Sequence, residues 1–131
     1  MKKKIFVVDD DGMLTLSVKQ ALEYYNPVEY DVVCIEDGEK CLGLLRANQI
    51  PDLILLDIMM PGMSGWMLSD RLRENPEWKN IPVVFLTART DNFAKEASNS
   101  VCADYIEKPF DIKDLEKRIS DILKKNISKS S

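Results

Sequence analysis

The chain of 131 residues is 45% hydrophobic and 31% charged, with a formal net charge of −4, a balance that fits one soluble globular domain. The acidic charge disfavours direct binding of nucleic acid, whose protein partners normally carry a basic surface. Because histidine is absent, the sequence excludes Ser-His and Cys-His nucleophile pairs, zinc sites that use histidine, and a phosphohistidine within this chain.

Strand-like segments alternate with helix-like segments along the chain. The predicted strands are short, rich in Val, Ile and Leu, and bounded by turn residues. In chain order they are Lys4–Val8, Tyr30–Ile35, Asp52–Leu56, Val83–Leu86 and Asp104–Glu107. Apolar residues at helical spacing follow each strand. These stripes run from Leu14 to Tyr25, from Cys41 to Leu45, from Met67 to Leu72, from Phe93 to Val101 and from Ile112 to Leu123.

Five strand–helix units in series predict an α/β fold, in which one doubly wound parallel sheet carries helices on both faces and the connections are right-handed. The helix over Asp91–Val101 has the weakest stripe, and we expect it to be the most mobile element. Asp111 is the expected N-cap of the last helix. We place a single domain in residues 1–124 and a polar C-terminal tail in residues 125–131.

The sequence also predicts a cytoplasmic protein without a membrane span. The longest apolar run is too short to cross a bilayer, and Lys2–Lys4 leads into a strand without a small-residue cleavage site. The three cysteines, Cys34, Cys41 and Cys102, lack CxxC spacing and are odd in number. We therefore expect them to be reduced and mostly buried.

Ionisable or hydroxyl residues stand at the carboxyl ends of the predicted strands. Asp9 and Asp10 follow the first strand, Asp57 the third, Thr87 the fourth and Lys108 the fifth. Because parallel strands end at the same edge of a sheet, we expect these residues to converge on one acidic pocket.

The three adjacent aspartates Asp9, Asp10 and Asp11 allow two interpretations. Carboxylates before a helix can cap its free N–H groups and meet the positive end of its dipole. A third carboxylate adds repulsion, however, and a hard divalent cation bound by oxygen atoms relieves it. Mg²⁺ is therefore the candidate cofactor.

Asp57 interrupts a hydrophobic run, where an apolar residue would have avoided the cost of desolvating a carboxylate. We interpret it as functional. Thr87 and Lys108 have plainer alternatives, namely a strand-favoured residue and a solvated lysine. Pro109 strengthens the functional interpretation of the lysine, because a cis Lys108–Pro109 bond would fix the direction of its side chain.

The motifs VVDDD, LLDIMMPGMSG, VVFLTA and YIEKPF occur in this order between residue 3 and about residue 124. In their order and spacing the chain resembles the receiver domains of two-component response regulators, of the single-domain chemotaxis type. The resemblance implies a flavodoxin-like (βα)5 fold with strand order 2-1-3-4-5 and a phosphoacceptor at Asp57. It also implies Mg²⁺ ligands at Asp9, Asp10, Asp57 and the backbone carbonyl of Met59.

The resemblance further implies a phosphoryl-binding and switch group made of Thr87, Ala88, Lys108 and Tyr105. Thr87 would move toward the phosphoryl group and the Tyr105 ring would turn inward. Asp10 would be the more direct metal ligand, since Asp9 would act partly through water, and Asp11 would cap the first helix.

The same resemblance implies a regulatory phosphoacceptor rather than an enzyme. Because the chain has no histidine, the donor would be a separate sensor histidine kinase or phosphotransfer protein. An unidentified output protein would bind the face formed by the fourth helix, the last strand and the last helix. Phe93, Tyr105 and Lys113 would contribute to that face.

Three positions depart from the pattern of these receiver domains. Val101 stands where glycine is common, and a β-branched residue is poorly suited to a positive φ, so that turn should differ. Ser64 replaces a frequent acidic residue, with little expected effect. Met59 and Arg89, two residues beyond Asp57 and Thr87, would restrict water and give the phosphoryl group a lifetime longer than seconds.

Three other classes of protein share part of this pattern. A phosphatase of the haloacid dehalogenase type would need threonine where Met13 stands, and the chain is short for it. A flavin mononucleotide binder would need a phosphate loop where this chain has three acids. The main alternative is a degenerate receiver that docks without phosphorylation. Against it stands the presence of all five residues at the strand ends, namely Asp9, Asp10, Asp57, Thr87 and Lys108.

Overall fold

The protein is described by a computed structural model, which covers residues 2–25, 30–87 and 104–130. In these ranges five parallel strands form one sheet with the spatial order β2-β1-β3-β4-β5, as predicted. The strands are β1 Lys3–Val8, β2 Tyr30–Ile35, β3 Leu53–Asp57, β4 Val83–Thr87 and β5 Asp104–Glu107. The helices are α1 Gly12–Tyr25, α2 Gly38–Arg46, α3 Gly65–Glu74 and α4 Ile112–Ser130.

The sheet is buried on both faces, and the alternation of side chains along its strands divides the core in two. On one face Phe6 and Val8 of β1 pack with buried residues of α2 and α3. On the other face Ile5 and Val7 pack with buried residues of α1 and α4. The predicted arrangement of helices on both faces is therefore confirmed.

A capping side chain precedes each of the four helices in the described ranges. Asp11 Oδ1 accepts from the N–H groups two and three residues ahead, at 3.1 and 3.2 Å. Asp37 caps α2, Ser64 caps α3, and Asp111 accepts from the N–H group two residues ahead of it, at 2.8 Å, in α4. The predicted capping by Asp11 and Asp111 is confirmed, and Ser64, which stands where the resembling receiver domains frequently have an acidic residue, caps α3 with its hydroxyl group.

Element ends differ in detail from the predictions. Hydrogen-bonded pairing extends β3 to Asp57 and β4 to Thr87, so both residues occupy the last position of their strand. Helix α4 continues to Ser130 and so runs into the predicted tail of residues 125–131. The predicted helix Asp91–Val101 lies outside the described residues.

The cysteine prediction is correct for Cys41 and wrong for Cys34. Burial raises the pKa of the Cys41 thiol to about 12, so it stays protonated. Cys34 is exposed, because β2 is an edge strand, and its Sγ lies 3.3 Å from the carbonyl oxygen of Thr15. Cys102 lies outside the described residues. Within the described ranges, no helix combines the length and apolarity needed to cross a membrane.

Candidate functional site

Three carboxylates converge at the carboxyl edge of the sheet. β1 and β3 are neighbouring strands, which brings Asp9 and Asp10, just beyond β1, next to Asp57, the last residue of β3. One oxygen atom from each of the three lies within 4.8 Å of the others. Asp9 is 1% exposed and Asp57 is 4% exposed, whereas Asp10 is exposed to solvent. The structure therefore places the three predicted metal ligands with carboxyl side chains in one cluster.

Lys108 follows the edge strand β5 directly, and its side chain extends to the carboxylate cluster. Its Nζ donates to Asp9 Oδ2 at 2.7 Å and lies 3.5 Å from Asp57 Oδ1. The Lys108–Pro109 peptide bond is cis. The ammonium group thus hydrogen-bonds one carboxylate and is close enough to the other to interact with its charge.

Backbone N–H groups hold the two buried carboxylates. Asp9 Oδ1 accepts from the Asp11 N–H at 2.9 Å, so both oxygen atoms of Asp9 are engaged within the protein. Asp57 Oδ1 accepts from the Met59 N–H at 3.3 Å. This bond places the Met59 backbone directly beside the predicted acceptor, while the Met59 side chain is largely exposed.

The electrostatics of the cluster favour an added cation. Burial raises the pKa of Asp57 to about 6, and the charges of Asp9 and Asp10 act in the same direction. Lys108 and the Met59 N–H oppose this rise. Burial alone would lower the pKa of Lys108, but its hydrogen bond to Asp9 and the charge of Asp57 raise it, so the lysine is a cation at neutral pH.

The remaining predicted site residues are described only in part. The backbone of Thr87 ends β4, next to β3, where Leu86 pairs with Asp57. The Thr87 side chain, Ala88 and Arg89 lie outside the described residues.

The predicted output face is also described only in part. Tyr105 is half-buried on β5, and its carbonyl oxygen accepts from Arg118 Nη1 at 3.2 Å. Lys113 is exposed on α4. Phe93 and Val101 lie outside the described residues.

One further residue of the site, Gly65, was not predicted from the sequence. Gly65 begins α3, and a Cβ atom built on it would lie 2.4 Å from the carbonyl oxygen of Asp57. The one sequence signal for this role was a glycine at the start of a helix, because glycine has a low helix propensity and its presence there suggests a specific structural requirement.

Comparisons with known proteins agree with this geometry. Residues 5–120 match the family model of the response regulator receiver domain. The chain is 39% identical over 120 residues to the transcriptional regulatory protein CrdR of Helicobacter pylori, an alignment that covers 91% of this chain and 54% of CrdR.

Two solved structures have the same fold. The receiver domain of response regulator 1452 from Francisella superposes with a TM-score of 0.83 and 32% identity, covering 95% of this chain and 99% of that one. A CheY-like response regulator receiver domain protein from Methanospirillum hungatei gives a TM-score of 0.87 and 26% identity, covering 98% and 99%.

The chain belongs to the response regulator receiver domain family. Members are regulatory modules of two-component systems, and phosphorylation and Mg²⁺ binding are general features of the family. The chain spans about half the length of CrdR.

Proposed function

We propose that Asp57 accepts a phosphoryl group from a separate phosphohistidine protein and that this modification switches a partner-binding face. The observation that carries the proposal is the convergence of Asp9, Asp10 and Asp57 with Lys108 at one edge of the sheet. A cluster of three carboxylates and one lysine matches the needs of an acyl phosphate site, namely a carboxylate nucleophile and cations that screen it.

In the reaction, a carboxylate oxygen of Asp57 attacks the phosphorus atom of the donor. An O–P bond forms while the P–N bond of the phosphohistidine breaks, and the bonding electron pair leaves with the donor imidazole. A pKa of about 6 leaves Asp57 mostly ionised at neutral pH, so the nucleophile is available. Lys108, 3.5 Å from Asp57 Oδ1, is placed to pair with an oxygen of the transferred group.

The residues of the cluster fit a hard divalent cation. Their donors are all oxygen atoms, the ligand type that Mg²⁺ prefers, and Asp10 is exposed and accessible to a hydrated ion. Both oxygens of Asp9 are already engaged, which supports Asp10 as the more direct ligand and Asp9 as one acting partly through water. When bound, Mg²⁺ would neutralise charge on the carboxylates and on the phosphoryl oxygens. The Met59 carbonyl completes the proposed ligand set.

The switch part of the proposal concerns the neighbouring strands. Thr87, at the end of β4, would donate its hydroxyl hydrogen to a phosphoryl oxygen, and the backbone N–H of Ala88 would donate to another. The half-buried ring of Tyr105 on β5 would then repack, which changes the face that an output protein reads. The donor would be a sensor histidine kinase or a phosphotransfer protein, and the site would operate in the cytoplasm.

The deciding experiment is the intact mass after incubation with acetyl phosphate, with Mg²⁺ or with EDTA. We expect a gain of about 80 Da, the mass of one HPO₃ unit, only with Mg²⁺. Asp57→Asn should abolish the gain. Asp37→Asn, which changes a capping aspartate away from the cluster, is the matched control and should behave as the wild type.

Each other outcome has a clear meaning. A gain that persists in Asp57→Asn would move the acceptor to another residue. No gain in the wild type under any condition would favour a receiver that docks without phosphorylation. A hydrolysis half-time of a few seconds in Mg²⁺ would contradict the separate expectation of a long-lived phosphoryl group.

A further inference from the structure

The backbone next to Asp57 makes an unusually close approach to α3. A Cβ atom on Gly65 would lie 2.4 Å from the Asp57 carbonyl oxygen, 2.8 Å from Ile58 Cα and 3.0 Å from the Asp57 carbonyl carbon. These are backbone atoms, so no side-chain rotation could relieve the overlap. Gly65 is not needed for a left-handed backbone, since the positive-φ glycine of the described residues is Gly62. Glycine at position 65 is therefore required by the contact itself.

The backbone around Ile58, which Gly65 approaches, is held from two sides. Toward the sheet, the Ile58 N–H donates to the carbonyl oxygen of Leu86 in β4 at 3.2 Å. Toward the helix, the Ile58 carbonyl oxygen accepts from the Gly65 N–H at 2.9 Å. The Asp57–Ile58 peptide is thus hydrogen-bonded to β4, and the next peptide, Ile58–Met59, is hydrogen-bonded to the first residue of α3.

The same stretch of backbone determines the geometry of the site. It connects Asp57, which carries the carboxylate, to the Met59 N–H, which donates to that carboxylate at 3.3 Å. A side chain at position 65 would have to move α3 or this backbone by several tenths of an ångström or more. Displacements of about 1 Å can slow a positioned reaction about 100-fold.

We propose that Gly65 is a positioning residue for phosphoryl transfer, because its missing side chain lets α3 close onto the Asp57–Ile58 peptide and fix the carboxylate and the Met59 backbone. The inference rests on the proposed role of Asp57 as acceptor. Gly65 itself touches neither donor nor metal and acts only through the peptide.

Two other glycines of the chain provide matched controls. A Cβ on Gly43, inside α2, would meet nothing within 4 Å. A Cβ on Gly38, at the start of α2, would lie 2.8 Å from Met63 Sδ and 3.2 Å from Met63 Cβ and Cγ, so the overlap is with a side chain rather than with backbone. Alanine would therefore overlap with nothing at position 43, with a side chain at position 38, and with the backbone at position 65.

The test combines three variants, Gly43→Ala, Gly38→Ala and Gly65→Ala, with a double variant that carries both Gly43→Ala and Gly65→Ala. Gly43→Ala replaces a glycine inside α2 that has open space around it, and alanine has the higher helix propensity. It should therefore offset part of any stability that Gly65→Ala loses in the double variant. Acetyl phosphate is the phosphoryl donor. The readouts are the maximal phosphorylation rate, the half-saturating acetyl phosphate concentration, and the Mg²⁺ dissociation constant from NMR shifts of backbone N–H groups, with folding checked by circular dichroism.

We expect Gly65→Ala to lower the maximal rate about 10- to 100-fold with little change in half-saturation, and to weaken Mg²⁺ binding several-fold. Gly43→Ala should stay within about twofold of the wild type in all three readouts, and Gly38→Ala should give a maximal rate and a Mg²⁺ affinity between those of Gly43→Ala and Gly65→Ala. A folded Gly65→Ala protein with wild-type rate and Mg²⁺ affinity would overturn the proposal. So would a double variant that does not fold, since Gly65 would then serve folding alone.

Failure of the acceptor function gives a different result. If the wild type takes up no phosphoryl group, Asp57 is not an acceptor, and the Mg²⁺ titration, which needs no donor, still decides whether Gly65 positions the cluster. Unchanged Mg²⁺ affinity in Gly65→Ala would then overturn the inference independently.

Discussion

At the scale of single residues, Asp57 is kept in an environment that disfavours its charge. It is buried, and Asp9 and Asp10 add negative charge beside it. Lys108 offsets only part of this repulsion, because its Nζ lies 2.7 Å from Asp9 Oδ2 but 3.5 Å from Asp57 Oδ1. In the metal-free protein, the negative charge of Asp57 therefore lowers the stability of the fold. Such a cost is expected of a side chain that serves a chemical function.

We predict that Asp57→Asn stabilises the metal-free protein at neutral pH. The folded pKa of Asp57 is raised to about 6 from an ordinary value of 3.8, so its favourable contribution is complete below 3.8 and is lost as pH rises through 6. Asparagine cannot ionise, so the variant should be more stable by about 1 to 3 kcal/mol at pH 7.5 and by far less at pH 4. Urea unfolding in EDTA at both pH values measures the difference.

The pH comparison separates this effect from a change in packing. An equal gain at pH 4 and pH 7.5 would show that the amide packs better, with no contribution from the carboxylate charge. A loss of stability at pH 7.5 would contradict the prediction, because the pairing with Lys108 would then outweigh burial.

The side chains of the cluster could be predicted from the sequence, whereas the contacts between them could not. Asp9, Asp10, Asp57 and Lys108 were identifiable because charged residues at the ends of hydrophobic strands carry a desolvation cost. The contact of Gly65 with the Asp57 peptide was not identifiable, since it depends on how closely α3 approaches the end of β3. Neither was the choice of Asp9 as the hydrogen-bond partner of Lys108.

At the scale of elements, α1 covers the open edge of the sheet at β2. Lys19 Nζ donates to the Val32 carbonyl oxygen at 2.9 Å, and Glu23 Oε2 accepts from the Val32 N–H at 2.9 Å. The two side chains also pair with each other at 2.9 Å. They satisfy the N–H and carbonyl groups of Val32, which this edge strand would otherwise present to another chain.

We predict that Glu23→Ala destabilises the protein by about 0.5 to 1.5 kcal/mol and speeds hydrogen exchange at the Val32 N–H. Burial alone would raise the pKa of Glu23, but the Val32 N–H and Lys19 lower it overall. The stabilisation is therefore present above the ordinary pKa of glutamate and is lost as pH falls through the lowered value. Urea unfolding and NMR-detected exchange measure the two effects.

Glu36→Ala is the matched control for the edge prediction. Glu36 pairs with Lys40 in the same i,i+4 spacing, but both side chains are mostly exposed. Removing it should change stability by less than about 0.5 kcal/mol. Equal effects of the two substitutions would mean that the Val32 contact contributes nothing beyond an exposed ion pair.

The order of the helices and strands could be predicted from the sequence, whereas the contacts that cover the edge strand β2 could not. Short apolar runs separated by helical stripes specify the alternation and a sheet buried on both faces. The cover over β2 involves Lys19 and Glu23, whose charges alone suggest only a solvated helix face. Their contacts with Val32 depend on the packing of α1 beside the edge strand.

At the scale of the whole molecule, the strand order joins distant parts of the chain at the acidic cluster. β1 and β3 lie side by side in the interior of the sheet, with β2 and β5 at its edges. A ligand that bridges Asp9, Asp10 and Asp57 therefore connects β1 directly with β3. Such a ligand binds only when both strands are paired, so its binding energy adds to the stability of the entire fold.

We predict that Mg²⁺ raises the melting temperature and that Asp10→Ala removes most of this increase. At a concentration ten times its dissociation constant, a ligand of the folded state adds about 1.4 kcal/mol, or about 3 to 6 °C for a domain of this size. Because Asp10 is exposed and adjacent to two buried carboxylates, its loss should not harm the metal-free fold. Calorimetry with MgCl₂ or EDTA makes the comparison. An equal increase in Asp10→Ala would show that Mg²⁺ stabilises the protein elsewhere or that Asp10 is not a ligand.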